Sequence, residues 1–232
     1  MQRLRVRYAK RGRARFTSHR DFGRAFERAL RRAGVPMAYS SGFSPHPRIS
    51  YANASPTGAA SEAEYLEIGL SAPCDPDQVR AALDAALPPG LNVVEVVTAT
   101  PGALADLLTG SCWALDLTGV PAAVLEEAVG FFLAQAEVPV ERLTKSGLRH
   151  FDARRAVVTL RPATGDEPVA APPAGTRRLV ATLEHTEPAV RPDDVLAALV
   201  ALRPAAAPTA PPVLTRLRQG LLDPGTGRVT EP

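Results

Sequence analysis

The chain has 232 residues, an ordinary globular composition and a formal net charge of +3 at neutral pH. This length is enough for two small domains that each bury a core, and the mildly basic balance does not by itself indicate nucleic acid. No stretch reaches the run of about 18 uncharged apolar residues that a membrane helix needs, and arginines stand where a signal peptide has an apolar run. Composition therefore argues against a membrane protein and predicts a soluble, cytoplasmic one.

The first hundred residues alternate between strand and helix patterns in the order β-α-β-β-α-β. Charged and apolar residues alternate over residues 3–8, which predicts a strand, and a second extended piece is expected to run through Phe16. Ser18 and Asp21 form the start signal of a helix that ends at Gly34. The remaining predicted elements of this half are strands at 48–53, 64–70 and 91–97 and a helix from Asp75 to Pro88.

The second half repeats this pattern. It contains predicted strands at 112–117, 138–143, 155–160, 178–183 and 213–217 and predicted helices at 121–136 and 192–202. We therefore predict an α+β fold of two tandem ferredoxin-like (βαββαβ) units, at residues 1–100 and 110–220, with a seam at 98–109. Residues 221–232 are expected to form a frayed tail.

Residues 36–58, which we call the central loop, are rich in glycine, proline and hydroxyl side chains. Pro45 and Pro47 flank His46, so the backbone on both sides of the imidazole is restricted. A side chain held in this way loses little entropy when it binds a ligand. The central loop is therefore either a binding element or a crossover connection whose prolines prevent pairing with a neighbour.

The central loop and its neighbours carry a recognisable set of motifs. They are Ser-His-Arg-Asp at 18–21, Tyr-Ser-Ser-Gly-Phe-Ser-Pro-His-Pro-Arg-Ile-Ser at 39–50, Pro-Thr-Gly at 56–58 and Glu-Ala-Glu-Tyr at 62–65. With these motifs the chain resembles the family of radical-SAM-linked proteins, also described as the domain of unknown function DUF2344. The resemblance is dense over the first hundred residues and thin afterwards.

The resemblance implies a partner but not a reaction. Relatives often carry this domain after a B12-binding-type radical SAM protein on one polypeptide, whereas this chain looks like the stand-alone form. Cys74 and Cys112 are isolated and far apart, so the chain lacks the three-cysteine cluster that holds an iron–sulfur centre. We therefore expect a radical SAM protein on a separate chain as partner, and no cofactor or metal bound by this chain itself.

Arginines are concentrated in the first thirty or so residues. Arg20, Arg24, Arg28 and Arg31 recur at helical spacing and form one stripe, and more basic residues come from the first strand and the turn after it. Such a concentration suits phosphate backbones or a large acidic partner. The Phe, Tyr and His residues of the central loop favour RNA over DNA because they can stack on unpaired bases. The alternative is a solvated helix face that is partly neutralised by neighbouring acidic residues.

Two histidines are candidates for chemistry. His19 opens the first helix and His46 lies in the central loop, so both could face one site. With Asp21 or Glu64 the pair could perform acid–base work, because a carboxylate can orient an imidazole that titrates near neutral pH. It could also bind a metal if a third ligand came from elsewhere. No nucleophile elbow, phosphate loop or metal spacing accompanies the pair, and the alternative is that each histidine is a hydrogen-bonded structural residue.

Arg48 is the main candidate for a ligand contact. It follows the Pro-His-Pro segment and opens a strand, where its planar fork could hold a phosphate or a carboxylate in bidentate fashion. The alternative is an ion pair with Glu62 or Glu64 across the hairpin. The candidate ligand-binding residues are Arg20, Arg24, Phe43, Ser44, His46, Arg48, Glu64 and Arg154, the last as a counterpart of Arg48 in the second unit.

These observations predict an accessory protein of a radical SAM enzyme. It is expected to bind RNA or a ribonucleoprotein through its basic N-terminal face and the central loop. Two alternatives remain open: an RNA-processing enzyme that uses His19 and His46, and a protein–protein adaptor that does not bind RNA. Tandem ferredoxin-like units occur in some CRISPR endoribonucleases, but that is an analogy of fold alone. We expect that the chain is not an enzyme by itself.

Overall fold

The computed structural model describes residues 1–144 and 147–232, and the chain divides into two compact units, Met1–Leu108 and Thr109–Pro232. The helices of the described residues are α1 (His19–Arg32), α2 (Pro76–Ala86), α3 (Ala122–Ala134) and α4 (Pro192–Leu202). The strands are β1 (Gln2–Lys10), β2 (Ile49–Ala52), β3 (Ala60–Leu70), β4 (Leu91–Thr98), β5 (Gly110–Thr118), β6 (Pro139–Thr144), β7 (Gly147–Asp152), β8 (Val157–Pro162), β9 (Thr176–Glu184), β10 (Val213–Asp223) and β11 (Arg228–Thr230). The strand pairings described within each unit are antiparallel, so the predicted mixture of helices with antiparallel strands is confirmed.

The first unit contains a sheet in the order β4-β1-β3-β2. Strand β1 is central, because it pairs with β3 on one side and with β4 on the other. The register places Arg5 opposite Glu67 across the β1–β3 pair. Strand β2, which lies within the central loop, pairs with the later part of β3. The central loop therefore feeds directly into the sheet next to residues 65–68 of β3.

Helix α1 forms where the capping signal predicted it. The Ser18 hydroxyl accepts a hydrogen bond from the Asp21 N–H at 3.1 Å and donates one to the Asp21 carboxylate at 2.7 Å. The helix is followed by Gly34, whose φ of +65° is a conformation that glycine adopts without strain. Phe22 and Phe26 are buried in the core, and the Phe22 ring stacks on Tyr8 of β1 with centroids 4.2 Å apart. Burial of one such ring contributes roughly 1.5–3 kcal/mol, which fixes α1 on the sheet.

The two faces of the first sheet differ in chemistry. Leu4, Val6 and Tyr8 of β1 belong to the core that α1 and α2 cover. Because side chains alternate along a strand, the intervening Arg3, Arg5 and Arg7 lie on the other face. We call this second surface the polar face of the first sheet. It is the face on which the candidate site is found.

Residues 12–16 do not form the predicted second extended piece. They form a short 3₁₀ helix, Gly12–Phe16, in which the Ala14 N–H donates to the Arg11 carbonyl at 3.0 Å. Gly12 has a φ of +53°, which ends β1 and starts the turn. Ala14 is partly buried and packs against the core from within this turn.

The second unit contains a sheet in the order β10-β5-β9-β8, and α3 contacts both α4 and β8. The predicted strand at 138–143 exists as β6, but its partner β7 was missed, and the two form a separate hairpin. Residues 147–150 of β7 are all exposed, so no alternation of apolar and polar residues marks this strand. The buried side of α3 consists of Leu125, Ala128, Val129 and Phe132, whereas Phe131 is exposed.

The C-terminal residues, for which we expected a frayed tail, form a hairpin. Strand β10 continues to Asp223 and pairs with β11 over Leu221–Asp223 and Arg228–Thr230. The Asp223 carboxylate accepts hydrogen bonds from the Gly225 N–H at 2.9 Å and from the Thr226 hydroxyl at 2.7 Å, which closes the turn. Val229 is buried. These contacts order a terminal segment that we expected to fray.

Candidate functional site

The central loop is tied to β3 by its own short ladder of hydrogen bonds. The Ala38 N–H donates to the Gly69 carbonyl at 2.8 Å, the Arg48 N–H donates to the Ala38 carbonyl at 2.8 Å, and the Gly69 N–H donates to the Arg48 carbonyl at 2.9 Å. Further out, Ser40 and His46 are joined twice, through main chain at 2.9 Å and through the Ser40 hydroxyl at 3.0 Å. Both stems of the loop are therefore fixed, and residues 41–45 form an exposed tip.

Arg48 lies at the base of this loop and reaches solvent. Its Cβ approaches Gly69 so closely that a Cβ added there would be 3.2 Å away, so the small residue makes room for the arginine. The Arg48 Nε donates to the Tyr39 carbonyl at 3.3 Å, and Nη1 lies 3.7 Å from the Met1 sulfur. Within residues 1–144 and 147–232, Arg48 makes no ion pair with a carboxylate.

The two glutamates that were considered as partners of Arg48 have other roles. Glu62 receives the guanidinium of Arg11, with 2.8 Å between Arg11 Nε and Glu62 Oε1. This hydrogen bond raises the pKa of Arg11 above its already high ordinary value, against the opposing effect of burial. Glu64, a predicted ligand contact, is instead fully buried and accepts a hydrogen bond from the Ser55 N–H at 2.9 Å. Its position makes Glu64 a structural residue.

Arg48 borders a groove of about 380 Å³, which we call the loop groove. A buried ion pair lies beneath it: Arg5 donates to Glu67 Oε1 from Nη2 at 2.9 Å and from Nε at 3.2 Å, and the two side chains are only 3% and 5% exposed. Arg3 Nη1 lies 3.7 Å from the same carboxylate. Arg3 and Arg48 line the groove together with Glu67, and Arg5 pairs with that carboxylate, so the basic groups exceed the one acidic group and leave the groove electropositive. Its polar lining is formed by Arg3, Ser40, His46, Arg48, Ser50 and Glu67.

The structure brings His46 into the loop groove but not His19. His19 is the first residue of α1, and its ring meets the edge of Tyr51 with centroids 4.9 Å apart. Tyr51 packs on the helix-covered side of the sheet against Phe22, and burial together with the charge of Glu27 raises the pKa of Tyr51 to about 12. His46 lines the loop groove, and His19 does not. The geometry therefore does not favour a joint acid–base or metal site.

The basic residues of the first unit fall into two groups. The arginines of β1 are engaged: Arg3 and Arg5 contact Glu67, and Arg7 Nε donates to the Glu62 carbonyl at 3.0 Å. The four arginines of the α1 stripe, in contrast, are exposed and have no ion pair within the described part of the chain. This second group is Arg20, Arg24, Arg28 and Arg31. Helix α1 therefore presents a row of exposed arginines, and Arg13 and Arg48 are further exposed arginines of this unit.

The remaining candidates divide between the loop tip and the second unit. Phe43 is fully exposed at the tip of the central loop, and Ser44 is exposed beside it. Arg154 belongs to the second unit, where its Nη1 donates to the Val157 carbonyl at 2.9 Å and its N–H donates to the Asp152 carboxylate at 2.8 Å. These local bonds explain the Asp-Ala-Arg motif structurally and do not make Arg154 a counterpart of Arg48.

Sequence reasoning missed the residues beneath the loop groove. Arg3 and Arg5 were assigned to a basic surface, and Glu67 was only counted as part of a strand. Arg5 and Glu67 are opposite charges at paired positions of β1 and β3. This pairing can be recognised only once the register of the two strands is known. In the described residues, no group of His, Cys, Asp and Glu has the arrangement of a metal site. No helix there has the length and apolar character to cross a membrane.

The fold and the loop groove define a protein of mixed helices and antiparallel strands that carries an electropositive site beside a rigid, proline-rich loop. A family model described as "Uncharacterized protein conserved in bacteria (DUF2344)" matches residues 3–192. This match spans most of the chain, so the protein belongs to the DUF2344 family. No curated protein matches the chain.

Proposed function

We propose that this protein is an accessory module that binds RNA, alone or within a ribonucleoprotein, and presents it to a radical SAM enzyme on a separate chain. The observation that carries the RNA part is the central loop, which combines an exposed aromatic side chain with an arginine that has no carboxylate partner among residues 1–144 and 147–232. Phe43 offers a stacking surface, and Arg48 offers a guanidinium fork at the edge of an electropositive groove. The radical SAM part rests on the family resemblance of the sequence.

The α1 stripe supplies the second contact surface in this proposal. Its arginines follow one another about every 4.5–6 Å along the helix axis, because they are three or four residues apart and each residue rises about 1.5 Å. Their guanidinium groups are free to neutralise successive phosphates, which would release counterions and make binding salt-dependent. Arg24, near the middle of the stripe, is the representative position for testing this contribution.

We also interpret both units as ferredoxin-like. The interpretation is supported in the first unit by the chain order β-α-β-β-α-β together with the sheet order β4-β1-β3-β2. In the second unit the corresponding sheet order is β10-β5-β9-β8, with the β6–β7 hairpin inserted between α3 and β8. Domains of this kind commonly display one face of a sheet for ligand binding, as in RNA recognition motifs.

The enzyme alternative requires His19 and His46 to act together. Its support is weakened because His19 contacts Tyr51 on the helix side while His46 lines the loop groove. If an RNA-processing activity exists, His46→Ala should abolish turnover and leave RNA affinity within a few-fold. The adaptor alternative would instead use the exposed arginines to hold an acidic protein surface.

The test is RNA binding by wild-type protein and three matched variants, measured by fluorescence anisotropy over a range of salt concentrations. Arg48→Ala and Arg24→Ala should each weaken binding and reduce the salt slope by about one. Arg80→Ala is the control, because Arg80 lies on α2 and does not line the loop groove. Equal losses in all three variants would indicate a general charge effect and contradict a specific site.

The partner is tested by a pull-down from the native cells, divided into two halves of which one is treated with RNase. Recovery of a defined RNA that is depleted with Arg48→Ala supports the proposal. Recovery of a radical SAM protein alone, insensitive to RNase, would contradict the RNA part and favour the adaptor.

A further inference from the structure

Arg48 lines the loop groove, and neither of its terminal nitrogens bonds an oxygen of the described residues. Arg3 Nη2 donates to the Thr100 carbonyl at 2.9 Å and to the Gly102 carbonyl at 3.3 Å, so its position is fixed by protein. Arg5 is engaged by Glu67 and by the Thr100 hydroxyl at 3.2 Å. Arg48 uses Nε for a carbonyl, while its Nη1 has only the Met1 sulfur, a weak acceptor, and its Nη2 has no bond among the described residues.

The charge of the groove suits an anion with more than one negative charge. Arg3 and Arg48 line the groove, and its one carboxylate, Glu67, already accepts from the buried Arg5 and lies near Arg3. An internal phosphodiester of RNA carries one negative charge, whereas a phosphomonoester carries about −1.5 to −2 near neutral pH. A monoester also has three terminal oxygens, so two of them can accept the parallel bonds of one guanidinium fork.

The size of the groove suits one end of a strand. Its volume of about 380 Å³ lies at the lower end of the range of roughly 300–1,000 Å³ found for small-ligand sites. His46 and Ser50 border the same groove and supply further hydrogen-bonding groups. Phe43 lies three positions before His46 and is exposed, so it can stack on the base next to a phosphate held by Arg48.

We propose that the loop groove binds the terminal phosphate of an RNA strand, a phosphomonoester, with Arg48 as its bidentate contact. This inference rests on the proposed RNA-binding function and narrows it, because it assigns the groove to strand ends and leaves the α1 stripe for internal phosphates. The protein then distinguishes processed or cleaved RNA with a phosphorylated end from RNA with hydroxyl ends. No covalent step is involved.

The test uses the full chain and short single-stranded oligoribonucleotides of one sequence that carry a 5′-phosphate, a 3′-phosphate or hydroxyl groups at both ends. Anisotropy should show about tenfold tighter binding of at least one phosphorylated form, as expected for a charge-assisted bidentate contact. Arg48→Gln should remove this preference, and Arg48→Lys should retain only part of it because a lysine keeps the charge but not the fork. Arg80→Gln, with the same change in net charge, should keep the full preference.

The outcomes separate this inference from the proposed function. If all three oligonucleotides bind equally well, or if the preference survives Arg48→Gln, RNA binding stands and the terminal-phosphate site is wrong. If none of the three binds, the proposed function fails as well. A free nucleoside monophosphate that binds as tightly as the phosphorylated strand would contradict an RNA end as the ligand. Urea unfolding of Arg48→Gln serves as the check that the variant is folded.

Discussion

The connection between the first helix and the second sheet strand differs between the two units. In the first unit, the connection from α1 to β2 is the central loop, and its Arg48 reaches solvent without a carboxylate partner in the described residues. In the second unit, the connection from α3 to β8 contains the β6–β7 hairpin, and its Arg142 is fully engaged. Arg142 Nη1 lies 2.6 Å from Asp194, and its guanidinium stacks over the Phe151 ring at 4.8 Å.

Other arginines of the second unit are held in the same manner. Arg178 pairs with Asp116 across neighbouring strands, and Arg161 pairs with Glu167 in the connection after β8. The comparison teaches that arginine content alone does not locate a binding surface. What matters is whether the guanidinium already has a carboxylate partner, and Arg48 of the first unit has none among the described residues and shares its loop with the exposed ring of Phe43.

The largest expected effect is a loss of stability when a buried arginine of the second unit loses its carboxylate partner. Arg178 donates to Asp116 from Nε at 2.6 Å and from Nη2 at 2.8 Å, and the two side chains are 7% and 11% exposed. Asp116→Ala leaves the guanidinium nearly buried without its carboxylate, so we expect a loss of about 3–5 kcal/mol in the free energy of unfolding, measured by urea denaturation.

The matched control for Asp116→Ala is Glu127→Ala in the same unit. Glu127 pairs with Arg203 at 2.8 Å, but both side chains are about half exposed, at 51% and 41%. This change should cost no more than about 1 kcal/mol, because exposed ion pairs contribute little. Similar small losses in both variants would show that the arginines of the second unit are not structural, and the contrast between the units would fail.

An intermediate effect is expected at the tip of the central loop. Phe43→Ala removes a fully exposed ring that makes no ring contact with another described residue, so the free energy of unfolding should stay within about 0.5 kcal/mol of wild type. RNA affinity should fall by about 1–3 kcal/mol if one base stacks there. Phe131→Ala removes an exposed ring from α3 and should leave affinity unchanged. A loss with Phe131→Ala as large as that with Phe43→Ala would place the RNA surface elsewhere.

The smallest effect concerns pH and the second unit. Burial acts to raise the pKa of Glu167, but hydrogen bonds from the Thr164 and Gly165 N–H groups and from Arg161 outweigh it and lower the pKa below its ordinary value of 4.5. A carboxylate with a lowered pKa stabilises the folded state above its ordinary pKa, and this contribution is lost as the pH falls through the lowered value. Wild type should therefore exceed Glu167→Gln in Tm near neutral pH, and the difference should shrink below about pH 4.5. A difference that grows on acidification would show that Glu167 is not held as an anion.

Much of the element order could be predicted because local signals were strong. The Ser18 cap, the apolar spacing of α1 and the alternation in β1 each agree with the structure, since all three depend on residues close in sequence. The β7 strand and the C-terminal hairpin were missed. Both depend on pairing with a neighbouring strand, and their own residues are largely exposed, so no hydrophobic period marks them.

The candidate site was predictable in part for the same reason. His46 and Arg48 were identified from the rigid Pro-His-Pro segment, and the structure places both at one groove. The burial of Glu64, the ion pair between Arg5 and Glu67, and the separation of His19 from the groove could not be derived locally. The burial of Glu64 and the Arg5–Glu67 pair depend on which face of the sheet a strand residue occupies and which residue lies opposite it. The position of His19 depends on how α1 packs against Tyr51 of β2.

The most direct test of the central claim is to map where RNA contacts the protein. Ultraviolet crosslinking of wild-type protein to single-stranded RNA, followed by tryptic digestion and mass spectrometry, should give its main crosslink in the peptide that covers residues 33–48, which contains Phe43. Crosslinks confined to peptides of the second unit, beyond residue 109, would contradict the assignment of RNA binding to the central loop.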